Sequence, residues 1–173
     1  MNNYVFGSRS EKNLATIEED LQKVFRLALK WSDIDFGLSH GRRTPEEQFD
    51  LFKQGRALSN NGDPKNPNDW FIKHPKKIVT YVDGYIKKSK HNATPKSEAG
   101  DIYVFIPGKP GLTYDTNHLL RVSGFIMAAA NHLFETGQIS RRVRNGVNWD
   151  MDGELVFTDK NESFVDLPHF ELV

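Results

Sequence analysis

Between residues 14 and 31 the apolar side chains Leu14, Ile17, Leu21, Val24, Ala28 and Trp31 recur at spacings of three and four. That recurrence draws one stripe along a helix, and a stripe so long must be covered by a second layer of structure. It predicts a helix over residues 10–31 with Ser10 as its N-cap. The cover begins at once. Ile34, Phe36 and Leu38 alternate with Asp35, Gly37 and Ser39 in the pattern of a half-buried strand. Ile102, Val104 and Ile106 alternate with Tyr103 and Phe105, which predicts a strand wet on neither face. Residues 116–135 predict a second long helix, apolar at Leu119, Leu120, Val122, Phe125, Ile126 and Leu133. Short strands are expected near 139–144 and 154–158, with a last strand over 169–173. Thr44-Pro45-Glu46-Glu47 starts a further helix, with Thr44 capping, Pro45 in the first position and Glu47 closing a capping box, and Gly55 stops it. Residues 59–76, rich in Asn, Pro, Asp and Lys, read as an exposed loop. Helices interspersed with antiparallel-type strands make the fold class α+β, a small antiparallel sheet with helices packed on it. No linker divides the chain, so residues 1–173 are expected to form one domain.

Composition narrows the chemistry. A chain of 173 residues buries roughly 70% of its unfolded surface and needs no disulfide to hold a core. Lys plus Arg number 23 and Asp plus Glu number 23, so there is no basic excess to neutralise phosphates, and no nucleic-acid partner is expected. There is no cysteine, which removes thiol nucleophiles and thiolate metal sites. A metal here must be held by His, Asp, Glu and water. The first ten residues lack the apolar stretch of a secretory signal, and the longest apolar run, residues 125–130, falls far short of the ~20 residues a membrane span needs. The expectation is synthesis in the cytoplasm with no membrane insertion.

Two segments carry the candidate chemistry. In Ser89-Lys-His91 and Ser97-Glu-Ala-Gly-Asp101, a His in a polar loop precedes an Asp at the mouth of an apolar strand. A carboxylate so placed is costly to bury without a cation or several donors. In Asp166-Leu-Pro-His169 the two polar residues are three apart, which in a regular strand turns them to opposite faces. Pro168 breaks that regularity, and a turn at 167–168 is expected to bring them together. Two His and one Asp with a fourth position open is a catalytic zinc arrangement, and a further carboxylate beside it supplies a general base.

These segments resemble the two signatures of the zinc peptidase family that includes VanY-type D-Ala-D-Ala carboxypeptidases and phage L-alanyl-D-glutamate endopeptidases. The ending Pro-His-Phe-Glu-Leu-Val resembles the phage endolysin branch. Gly41-Arg-Arg43-Thr44-Pro-Glu-Glu-Gln48, Val79-Thr80-Tyr-Val-Asp83-Gly84 and Gly146-Val-Asn-Trp149 resemble the family's intervening pieces in order. The stretch from His91 to Asp101 is longer than in the family, and Ser97 stands where the family has glycine.

The resemblance implies a hedgehog/D-Ala-D-Ala peptidase-like fold with zinc in a surface cleft. His91, Asp101 and His169 would be the zinc ligands, with Glu98 as the alternative to Asp101. Asp166 would be the general base and Arg43 the group that binds the oxyanion or a substrate carboxylate, with Arg42 its competitor. Ser89 would orient a ligand, Gln48 would support Arg43 or contact substrate, and Trp149 would wall the cleft; a turn serine, an exposed helix polar residue and a core tryptophan are their plainer readings. The implied activity is hydrolysis of the L-alanyl-D-glutamate bond of the peptidoglycan stem peptide by a monomer that reaches the wall after holin-dependent release, with no separate wall-binding module. A D-Ala-D-Ala carboxypeptidase or dipeptidase and a non-catalytic zinc- or wall-binding module are the rivals, and the loop at 55–88 is expected to select the substrate.

One further motif stands apart from the family signatures. Asn148, Asp150, Asp152 and Gly153 follow the first half of a calcium loop, with Leu155 at the hydrophobic position and Asp159 at the twelfth. Calcium is therefore a second candidate ion, and a turn rich in Asp and Gly the plainer reading. His40, His74, His118 and His132 are read as structural.

Overall fold

The computed structural model of the chain describes residues 3–161 and 164–173. The chain divides into two compact units, one of residues 1–41 and 98–173, the other of residues 42–97.

The larger unit carries the expected stripe, but on two helices. Helix α1 spans Ser8–Leu14 and α2 spans Glu19–Trp31. The break has a local cause. Asn13 turns its amide to the carbonyls of Leu38 and Ser39, at 2.9 and 3.0 Å. The Thr16 hydroxyl and amide both donate to the Asn13 carbonyl, and the Ile17 amide bonds Leu14 instead. The turn therefore tightens to i→i+3 bonding. Leu14, Ile17, Leu21, Val24 and Ala28 stay fully buried across it, so periodicity alone shows no interruption. Trp31, expected on the stripe, is largely exposed and stands edge-on to His132. Ser10 is no N-cap; it lies inside α1, buried, and its Oγ accepts from the Leu38 amide at 3.1 Å, while Gly7 caps.

Strands β1 (Asp35–His40), β4 (Ala99–Phe105), β5 (Val143–Gly146) and β6 (Asp166–Leu172) form an antiparallel sheet in the order β1-β4-β6-β5. Helix α4 (Thr116–Glu135), capped by Asp115, packs with α2 over one face. Ile102, Val104, Phe170 and Leu172 point to that face and join the core with Phe25, Val122 and Ile126. Gly100 lets Phe25 lie flat on the sheet; a Cβ there would stand 3.1 Å from the Phe25 ring. The alternate residues, Asp101, Tyr103, His169 and Glu171, therefore share the opposite face. Strand β4 is buried on both faces along Ala99–Ile102, as expected, and only its last residue, Phe105, is exposed. Residues 154–158 form a turn and no strand, with the Thr158 amide on the Leu155 carbonyl.

In the smaller unit, α3 (Pro45–Lys53) starts as its sequence dictates. Thr44 accepts from the Glu47 amide and Glu47 returns to the Thr44 amide. Strands β2 (Arg56–Leu58) and β3 (Trp70–Ile72) pair antiparallel, so the stretch expected as a plain loop carries a strand. Trp70 earns its place against Phe49, ring centroids 6.2 Å apart, and Phe49 also packs on Phe52 and Tyr85.

Candidate metal centre

The sheet register builds most of the centre. On the face away from the helices, β1, β4 and β6 place His40 opposite Asp101 and Asp101 opposite His169. Asp101 Oδ1 lies 3.1 Å from His169 Nδ1, and its Oδ2 lies 3.9 Å from His40 Nδ1. His40, read as structural, is thus a neighbour of the site. Glu98, the alternative third ligand, is engaged elsewhere, its carboxylate 2.7 Å from Arg141.

His169 uses its second nitrogen too. Nε2 lies 2.9 Å from Glu171 Oε2, and Glu171 Oε1 accepts from Arg144 Nε and Nη2 at 2.8 and 2.6 Å. Trp149 tilts over the His169 ring with centroids 5.4 Å apart, its indole nitrogen donating to the Phe164 carbonyl. It is half-buried, a wall to His169 and not a core tryptophan. Glu171 and Arg144 went unmarked in the sequence because a strand-end Glu and a mid-strand Arg look like ordinary surface charge. The i, i+2 spacing of His169 and Glu171 on a strand was the one available signal.

The expected turn at Leu167-Pro168 is absent: β6 runs unbroken from Asp166 to Leu172. The irregularity lies in its pairing with β5. Asn145 faces Phe170 while the next residue, Gly146, faces Asp166, so one step on β5 spans four on β6. Pro168 falls in that bulge, where its missing N–H costs no ladder bond. Gly146 admits the Asp166 backbone closely; a Cβ at 146 would stand 2.3 Å from the Asp166 carbonyl oxygen.

In the smaller unit, Ser89 caps a short 3-10 turn over Lys90–Asn92, accepting from the His91 amide at 3.2 Å. The Asn92 amide donates to the carbonyls of Arg43 and Thr44, and the Arg43 amide donates to the His91 carbonyl at 2.9 Å. Arg43 is thereby tied to the His91 turn, while Arg42 is more exposed. Gln48 is buried, not an exposed helix residue. Its amide bonds Thr80 Oγ1 and the Val82 carbonyl, bracing the 80–82 segment.

His91 in the smaller unit, and Asp101 and His169 side by side in the larger, are all buried. Two imidazoles and one carboxylate are a donor set that fits a small divalent cation such as zinc. Charge balance points the same way. Burial alone would lower the His169 pKa, but hydrogen bonds to Asp101 and Glu171, with the charges of Asp101 and Asp166, raise it to about 9. Burial likewise pushes Glu171 up, and His169 and Arg144 hold it below the usual carboxylate range. The cluster retains a proton where a metal would compete for it.

A second group consists of Asp150, Asp152 and Asp159, also within 4.8 Å. Asp159 is 7% exposed, and its Oδ2, like Asn148 Oδ1, is buried with no hydrogen-bond partner among the described residues. The buried apolar residue of this loop is Val156, whose amide bonds the Val147 carbonyl; Leu155, expected in that place, is exposed.

Comparison with known proteins accords with these arrangements. The family model for phage L-alanyl-D-glutamate peptidase matches residues 2–70, which include Arg43, Thr44 and Gln48 and end before His91. The L-alanyl-D-glutamate peptidase of Escherichia phage T5 is 29% identical over 172 residues, spanning 98% of both chains. Along its first 70 residues the chain is thus similar to the phage L-alanyl-D-glutamate peptidase family, and along its whole length to one such peptidase. The chain also shares its fold with the Serratia marcescens L-Ala D-Glu endopeptidase ChiX, at a TM-score of 0.58 and 21% identity, covering 99% of this chain and 92% of that one. Among the described residues no helix is long and apolar enough to cross a membrane.

Proposed function

We propose that the chain is a zinc endopeptidase that hydrolyses the L-alanyl-D-glutamate bond of peptidoglycan stem peptides. The observation that carries this reading is the buried Asp101–His169 pair, with His91 as the third donor of the set, in a chain similar to the phage T5 L-alanyl-D-glutamate peptidase over 98% of both chains. Bound by those three residues, zinc would supply a Lewis acid for the scissile carbonyl and lower the pKa of water toward ~7. The chain's own residues do the rest. Asp166 takes the proton of the attacking water and passes it to the leaving amine. Arg43 offers a planar fork of donors to the oxyanion or to the substrate's D-glutamate carboxylate. Trp149 screens His169 from solvent. The chain acts as a single catalytic unit and a monomer, made inside the host and released to the wall through a pore that another protein opens.

The test is a digest of Gram-negative peptidoglycan with and without a chelator, read by mass spectrometry. New N-terminal D-glutamate that disappears on chelation and returns with zinc is the expected result. Released D-alanine would move the chain to the carboxypeptidase branch, and no release with zinc bound would make it a binding module.

A second ion is proposed at the loop of residues 148–159, supported by the unpartnered buried oxygens of Asp159 and Asn148. Hard oxygen donors of this number suit calcium. Terbium luminescence sensitised by the adjacent Trp149 should appear, be displaced by calcium, and vanish in Asp159→Asn; equal luminescence in that variant would remove the site.

A further inference from the structure

An imidazole offers a metal one nitrogen, and the proton on the other decides which one is free. In this site the two nitrogens of His169 face different partners. Nδ1 lies toward Asp101, at 3.1 Å, and Nε2 toward Glu171, at 2.9 Å. Glu171 takes no part in the hydrolysis described above, yet it is buried and doubly held by Arg144. Arg144 is its direct cross-strand partner on β5, and its remaining guanidinium nitrogen donates to the Trp149 carbonyl at 2.8 Å.

We propose that Glu171, anchored by Arg144, is a positioning residue that holds the Nε2 proton of His169 and so presents the Nδ1 lone pair to the metal. The inference rests on the zinc reading of the His91–Asp101–His169 group. Three features of the chain support it. His169 and Glu171 alternate on one strand, so both side chains leave the same face. A carboxylate accepts and cannot donate, so its contact with Nε2 requires the hydrogen to sit there. The Arg144 fork fixes the carboxylate plane from the other side and leaves Oε2 for His169. A carboxylate behind a ligating His restricts its ring orientation and raises its basicity, and removing such a partner weakens metal binding by ~10–100-fold.

The experiment measures the zinc dissociation constant of the full chain by competition with a chromophoric chelator, with no substrate present. Glu171→Ala should bind zinc ~10–100-fold more weakly than the unaltered chain. Glu171→Gln, which keeps an acceptor oxygen but not the charge, should fall between them. Unchanged zinc affinity in both variants, with only a lowered Tm, would reduce Glu171 to a strand-pairing ion pair and overturn the proposal. Should Glu171→Ala not fold, Glu171→Gln and the unaltered chain still decide. Long-range 1H–15N correlation of the zinc-loaded chain should show His169 metallated at Nδ1 and protonated at Nε2, and the reverse pattern would refute the assignment. Failure of the zinc reading itself looks different: the unaltered chain would then bind no zinc that His91→Ala abolishes.

Discussion

Asp166 and His169 are three residues apart on one strand, a spacing that in a regular strand turns two side chains to opposite faces. The bulge opposite Gly146 interrupts the regular pairing between them without a turn. If Asp166 is the base, Asp166→Ala should lower the hydrolysis rate by ~10²–10⁴-fold, the usual worth of a positioned proton carrier. Its zinc affinity should stay within a few-fold, since the residue is no ligand. Rate and zinc titration on the same preparation check both halves, and a fully active variant would return Asp166 to a structural role. At this scale the sequence was informative where chemistry is written in residue type: Asp101 and His169, singled out by their motifs, lie side by side at 3.1 Å. It was silent on Glu171 and Arg144, whose meaning comes from strand register, and on the burial of Gln48, which depends on where the 80–82 segment returns.

Elements whose signals are local formed as expected. The capping box at Thr44, the helix over residues 116–135 and the alternation of β1 each need only a few neighbouring residues. Elements whose fate depends on distant partners did not show. The break between α1 and α2 is made by Asn13 reaching β1, and β3 exists because β2 pairs with it. The bulge on β5 is likewise non-local, and it yields a prediction. Gly146→Ala places a methyl 2.3 Å from the Asp166 carbonyl oxygen, so β5 and β6 must separate. Overpacking of this kind costs ~1–3 kcal/mol. Hydrolysis should fall more steeply than zinc affinity, because the strain displaces Asp166 first. Thr44→Ala is the contrasting case: losing its cap should cost ~1 kcal/mol, and the Tm should drop by about 2–4 °C. An unaltered Tm in Thr44→Ala, followed by circular dichroism, would mean that the capping box adds nothing to α3.

For the molecule as a whole, the two faces of the main sheet divide the labour. One face is apolar and held by α2 and α4; the other carries Asp101, His169 and Glu171. Strand alternation makes the two inseparable, since Gly100 and Phe170 in the core are chain neighbours of Asp101 and His169 in the site. Phe25 is the hinge of that arrangement: fully buried, edge-on to Phe170 at 5.9 Å and seated over Gly100. Phe25→Ala removes the ring and leaves a cavity directly under Gly100 and Phe170, the chain neighbours of Asp101 and His169. Such a change costs ~3–5 kcal/mol, against a total stability of ~5–15 kcal/mol for a domain. The variant should still fold at low temperature, with the Tm lowered by roughly 6–20 °C. Because β4 and β6 lose their common support, zinc affinity should weaken as well, although Phe25 touches no ligand. A chelator competition run well below the lowered Tm separates that effect from unfolding. A destabilised variant with unchanged zinc affinity would show that the polar face holds its geometry through its own hydrogen bonds, Glu171 and Arg144 foremost, and not through the core beneath it.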